Sequence, residues 1–386
     1  MTAPSPVVGG HAELGLDVDA EVEVLAHAPL QGPWQAPAEL VRFLLARGAA
    51  AVDVELGSRR YRVAGTGAGV DADDLARLAA VLDRRVAAAA RHAAVVELET
   101  TEAMPLLWAA GAAGARWRFR LETPAGMIVA AGGRGRPVEV VDAGGGAARR
   151  IALEVRGPGF DRRRAAEWLR AVCRFARARV RLDGVEVGVG LREGAFRAHL
   201  DEPVPCDVAI GTDGDAPALW LLRHGVVAAR ATVPGFPPFH AAVELAAATP
   251  PGASPAEVRA AVQPYLTDLI GAAVQLMVRA AVRLPELADE RRRALTLALL
   301  RAASIGLSRP EILELPLLRC GPPERPARPL SLAELARAGR LPPAASEREL
   351  ARLGLHGPQS AAVLRLGPEE RDLVMRLTGV RLAPPP

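Results

Sequence analysis

Few residues of this chain combine a type and a spacing suited to chemistry, and the most suggestive are glycines. Gly65-Thr66-Gly67-Ala68-Gly69 stands between a stretch that alternates like a strand and one that repeats like a helix. Glycine tolerates backbone conformations closed to other residues and lets the main chain pass close to a ligand. Taken alone, such a turn also serves simply to reverse the chain. Cys173, Cys206 and Cys320 are far apart, odd in number and lack any CxxC or zinc spacing. They are expected to be reduced thiols, buried or unpaired. The seven histidines form no HExxH or other ligand pair, and His224 and His240 read as structural or surface residues. No metal site is therefore expected. GxSxG and GxGxxG are absent, and a GxxxxGK phosphate loop is impossible in a chain without lysine.

Every basic residue is arginine, and asparagine is missing too, a pattern of strongly GC-biased coding. The net charge of +4 is a weak argument for nucleic acid or an anionic membrane. Nine arginines crowd Arg156 to Arg181 against Asp161 and Glu167, without clear stacking aromatics, and read as a solvated or ion-paired face. Nucleic acid is not the expected partner. The tail MTAPSPVVGG lacks a basic start and an apolar core, so no secretory leader is expected. The longest uncharged helical run, between Asp268 and Arg279, is shorter than the ~20 residues that span a bilayer. A cytoplasmic protein without a membrane anchor is the expectation.

The elements that must position these residues follow from periodicity. At 386 residues the chain exceeds the usual single core, and with aromatics at 4% its cores rest on Ala, Val and Leu. Residues 36–47 carry a helical stripe through Leu40, Val41, Leu44 and Leu45. In 50–56, Val52, Val54 and Leu56 alternate with Asp53 and Glu55, a half-buried strand. Tyr61-Arg62-Val63 begins its partner, 64–70 forms a loop, and a single helix runs from 71 to 92. Residues 95–140 read as further strands around a short helix at 102–112, with WRFRLET and GMIVAAG the best strand candidates, 132–149 is a loop, and IALEVRG closes the sheet. A helix at 160–176 and an Asp-Gly hairpin in RVRLDGVEV follow, with two strands in LWLLRHGVVAARATV. Long amphipathic helices begin at 254, 321–330 is a Pro-rich linker, and a strand at 362–366 precedes a last helix at 368–379. The fold class is α+β. It comprises a two-layer α/β sandwich at 1–155, a second α/β domain at 156–253, a helical region at 254–320 and a small α/β segment at 321–386.

The string AELVRFLLARGAAAVDVELGSRRYRVAGTGAGVDADDLARL resembles the opening of the GHKL ATPases. That superfamily includes gyrase, the ninety-kilodalton heat-shock chaperones, histidine kinases and MutL. Its first motif is E-x-x-x-N on a helix, and Glu39 and Phe43 occupy the end positions here. Its second is D-x-G-x-G, and Gly65, Thr66, Gly67 and Gly69 fall in it. The resemblance implies ATP with Mg²⁺ as ligand, Glu39 as the base that orients or deprotonates water, and an amide at position 43 to hold the cation. Phe43 cannot coordinate a hard cation, and Gly65 cannot accept the hydrogen bond that an Asp takes from the adenine amino group. The Gly-Thr element before the last strand is replaced by Ala147-Ala148. The overall likeness is to chaperone-like ATP-binding proteins, supported also by Pro316–Arg319 and Ser331–Leu335. It implies a degenerate GHKL domain, a pseudo-ATPase acting through a protein partner or client, with homodimerisation through the 254–306 helices as a further implication. An active ATPase using Glu39 and a MutL-like DNA-transaction protein are the alternatives.

Overall fold

Leu40, Val41, Phe43 and Leu44 return to one side of a helix every three to four residues, and all four are fully buried. This is helix α1 (Ala36–Ala46), entered through a 3₁₀ turn at Pro33–Gln35. The computed structural model describes residues 22, 24–25, 30–67, 69–70, 72–112, 116–123, 126–133, 136–142, 150–156, 160–191, 196–201, 205–210, 218–232, 239–244, 256–257, 260, 263–321, 327–338, 343–346, 349 and 363–382. The expectations for the N-terminal tail and for Ala147-Ala148 lie outside them. Two compact units divide the chain: Met1–Val189 with His224–Val226, and Gly190–Arg223 with Val227–Pro386. Among the described residues there are ten α-helices and three mixed sheets, an α+β composition. None of these helices is long and apolar enough to cross a membrane.

The first unit holds an eight-stranded sheet. Its strands are β1 (Ala51–Leu56), β2 (Arg60–Thr66), β3 (Arg116–Thr123), β4 (Gly126–Gly133), β5 (Arg136–Asp142), β6 (Arg150–Arg156), β7 (Arg179–Leu182) and β8 (Val185–Glu186). Their order is β5-β4-β3-β6-β2-β1-β7-β8. β1 runs parallel to β7, and the other pairs are antiparallel. Helices α2 (Ala72–Leu82), α3 (Ala88–Thr100), α4 (Met104–Ala112) and α5 (Arg162–Val172) complete it. α1 packs on α4, α5, β1 and β2.

Four local readings need correction in this unit. Residues 71–92 are not one helix: the chain turns at Asp83, whose carboxylate takes the Arg85 N–H (3.0 Å) and its guanidinium. That local bond competes with the next helical turn. Residues 95–100, read among strands, complete α3, and Arg91 Nε ties α3 to α2 through the Val81 carbonyl (3.0 Å). The loop at 132–149 contains β5, an edge strand, where Pro137 costs no ladder bond. The 64–70 loop starts later than expected, because β2 continues through Gly65 and Thr66, paired with Val52 and Ala51.

Two pairings went unread. β6 does not close the sheet at an edge; it lies between β3 and β2. The Asp-Gly hairpin, read as part of the second segment, joins the first sheet through β1. Its turn has φ of 49° at Asp183 and 82° at Gly184, the conformation that favours this dipeptide. Asp183 also accepts the Leu56 N–H (2.9 Å) and donates its own N–H to the Val54 carbonyl (2.8 Å).

The second unit has a five-stranded sheet built from β9 (Phe196–Leu200), β10 (Cys206–Ile210), β11 (Ala218–Arg223), β12 (Val226–Thr232) and β13 (Phe239–Glu244), in the order β12-β11-β13-β10-β9. Its long helices are α6 (Leu266–Ala281) and α7 (Asp289–Ser304), followed by the short α8 (Arg309–Glu314). α6 lays Leu269 and Ala273 on the sheet beside Val208, Leu221 and Ala241. Its opposite flank, with Val274 and Met277, joins α7 in another core.

The Pro-rich stretch read as a linker is bounded by two strands, β14 (Leu318–Gly321) and β15 (Arg328–Leu330), which pair antiparallel. With β16 (Ala344–Ala345) and β17 (Val363–Arg365) they form a third sheet, ordered β15-β14-β17-β16. β15 tolerates Pro329 because it lies at the edge. Ser331 and Glu334 form a capping box at α9 (Leu332–Arg337), and α10 (Pro368–Thr378) packs on α7.

Candidate functional site

Glu39 stands in the first turn of α1, where the helix dipole favours a carboxylate. Its side chain is buried and paired with the equally buried guanidinium of Arg42, one turn on. Beside this pair is Cys173, at the C-cap of α5. Burial pushes the Cys173 thiol up to about 12; Arg42 pulls it down and Glu39 adds to the rise. A thiol held protonated at neutral pH is a poor nucleophile and metal ligand. Cys206, pushed to about 11 by burial, follows the same logic. All three cysteines are free.

Phe43 follows Glu39 by four residues and is 1% exposed. The Arg47 guanidinium lies 5.5 Å from its ring centroid. An apolar ring under a cation supplies no oxygen for Mg²⁺. Gly65 points at α1: a Cβ there would meet Leu44 Cδ1 at 3.1 Å and Ala49 Cβ at 3.6 Å. A carboxylate at 65 therefore has no room without displacing Leu44. Thr66 ends β2 with an exposed side chain, and its carbonyl accepts the Ala50 N–H (2.9 Å).

Gly67 has φ 72°, in the left-handed region. Gly69 donates its N–H to the Arg47 carbonyl at 2.6 Å, and a Cβ on it would stand 3.0 Å from that oxygen. The glycines thus clasp the C-terminus of α1, where helix carbonyls need partners. Glu39 sits toward the other end, about 12 Å along the axis at 1.5 Å per residue. Sequence motifs placed these residues in one site. The structure joins Gly65, Gly67 and Gly69 to the Leu44–Arg47 end of α1, and Glu39 to Arg42 and Cys173.

One arrangement there left no sequence signal. Arg47 reaches from α1 to Asp74 (3.0 Å) at the start of α2 and to the Thr101 carbonyl (2.9 Å) after α3. Asp74, 1% exposed, also has Arg77 at 3.7 Å. These are residues 27 and 54 positions from Arg47, beyond the range of any periodicity.

The arginines of 156–181 are largely engaged. Arg156 pairs with Glu154 (2.7 Å), Arg162 with Asp183 (3.1 Å), Arg163 with Glu167 (2.9 Å) and Arg181 with Asp53 (3.8 Å). Arg164 stacks over Trp34 at 4.4 Å. A second group of arginines lies on the face of the eight-stranded sheet that turns away from α1. There Arg116, Arg118 and Arg120 are exposed while Trp117 and Phe119 are buried on the opposite face. Arg60, Arg156 and Arg116 align across β2, β6 and β3, and Arg62, Glu154 and Arg118 form the adjacent row. At one end the face holds a cleft of about 240 Å³ lined by Arg60, Arg62 and Arg156 with Glu55, Glu154 and Asp183. The alternation RWRFRLE, which places a strand, is also the sequence signal for this face.

Among the described residues no group of three or more His, Cys, Asp and Glu side chains could hold a metal ion. No protein-family model matches the chain, and no curated protein matches it.

Proposed function

We propose that this chain is a chaperone-like protein whose first unit is a degenerate GHKL-type two-layer domain, acting through protein contacts and binding ATP weakly or not at all. The succession α1, β1, β2, glycine turn, α2 supports the domain reading, as does a sheet with its helices packed on the Tyr61 and Phe119 side. The observation that carries the degenerate half is the Leu44–Gly65 contact. The space an adenine-reading carboxylate would need is filled by a leucine of α1. Two further features agree with it: Phe43 is packed in the core, and the Glu39 carboxylate is taken up by Arg42. These residues do not fit ATP with Mg²⁺.

Calorimetric titration of the full chain with ATP and Mg²⁺ tests the reading. The expected result is no saturable heat below about 1 mM, a binding free energy weaker than about 4 kcal/mol. Micromolar binding that Glu39→Ala or Gly67→Val abolishes overturns it.

A further inference from the structure

We propose that the arginine-bearing outer face of the eight-stranded sheet binds an extended, acidic polypeptide segment. This deepens the reading above and rests only on its claim of action through protein contacts.

Arg116, Arg118 and Arg120 repeat along β3 at every second residue, about 6.8 Å apart at 3.4 Å per residue. Across the strands, Arg60, Arg156 and Arg116 stand in one register row. Like charges directly opposite one another destabilise a sheet. The row includes no carboxylate, and Glu154, in the next row, is shared by Arg156 (2.7 Å) and Arg60 (4.0 Å). Arg116 and Arg118 make no ion pair among the described residues. Arg116 thus stands opposite Arg156 with no counter-charge of its own, a position that an arriving anion would relieve.

The chemistry of the face selects the anion. Arginine forks bind carboxylates through two parallel N–H bonds. An extended chain with Asp or Glu at alternate positions repeats its carboxylates at the same ~6.8 Å as the β3 arginines. Single-stranded nucleic acid is held largely by base stacking on aromatics. The aromatic side chains of β2 and β3, Tyr61, Trp117 and Phe119, are all buried on the opposite face.

The test uses the full-length chain and fluorescein-labelled poly-L-glutamate, read by anisotropy at low and moderate salt. Polyglutamate is expected to bind, more weakly as salt rises. The R116S/R118S chain should lose about tenfold or more in affinity, and R118Q alone a smaller part. R170S, on the exposed side of α5, should bind unchanged. The melting temperature of R116S/R118S should stay within a few degrees of the parent's, because Arg116 faces Arg156 and neither Arg116 nor Arg118 holds an ion pair among the described residues. The proposal is overturned by absence of binding at low salt, by equal binding of R116S/R118S, or by a fall of several degrees in its melting temperature. Binding of labelled oligothymidylate through these arginines, with none of polyglutamate, overturns it in favour of nucleic acid. Failure here leaves the ATP titration unaffected, and micromolar ATP binding would remove the degenerate-domain reading without touching this face.

Discussion

Leu44 Cδ1 lies 3.1 Å from the point where a Cβ on Gly65 would stand, and α1 closes onto β2 through that gap. Neither residue is interpretable without the other. Gly65 is a strand residue whose missing side chain admits a leucine.

The Gly65→Asp chain is therefore expected to lose about 1–3 kcal/mol of stability, from overpacking and a buried carboxyl together. Leu44→Ala alone should cost about 2–5 kcal/mol by leaving a cavity. The double variant should cost less than the two combined, by about 0.5 kcal/mol or more. Urea unfolding of the four chains measures the coupling, and strict additivity would show that the two positions do not meet.

Arg47 joins three segments through Asp74 and the Thr101 carbonyl. Arg47→Ala takes the 3.0 Å guanidinium away from the buried Asp74 carboxylate, with Arg77 standing farther off at 3.7 Å. A loss of about 3 kcal/mol is expected, the lower end for breaking a buried pair. Hydrogen exchange should quicken in α2 and at the end of α3 while the second unit stays protected. Uniform quickening in both units would contradict a local role.

The Cys173 thiol gives the first unit an alkaline limit. Folded, it keeps its proton to about pH 12; unfolded, it releases it near 9.0. Its contribution is fully present below pH 9 and is lost as pH rises from 9 towards 12. Cys206 acts in the same direction in the second unit, up to about 11. Cys173→Ala should flatten the fall of stability with alkaline pH by about one proton equivalent. The chain has no lysine to mask the effect. An unchanged slope between pH 9 and 11 would show that the thiol reaches solvent.

The elements that declared themselves in the sequence were those set by near neighbours. Leu40 and Leu44 repeat on α1, Val52 and Val54 alternate on β1, and Asp183-Gly184 carries its own turn. The Ser331–Glu334 capping box is equally local. What was missed depends on distant partners. β5 and β15 are edge strands, whose prolines look like loop signals until the free edge is known. The strands β9, β10 and β13 were not placed individually. Among candidate site residues the motif located Glu39, Phe43 and the glycines. Burial by Arg42 and Leu44 was invisible, because it needs the packing of α1 against α5 and β2. The arginines of β3 were legible as an alternation, but their alignment with Arg156 and Arg60 required the register of three strands.

The parallel pairing of β1 with β7 bears on how this chain is made. Ala51 meets Arg179, so the strand that covers β1 emerges about 130 residues after it, a non-local closure of the kind that slows folding. Until then β1 is an open edge with unpaired backbone groups, a template for other chains. A fragment cut at residue 155 keeps that edge permanently bare. Expression of the first unit should therefore extend to Val189, and during synthesis the nascent chain has its greatest need of protection from aggregation before the Asp183 turn leaves the ribosome.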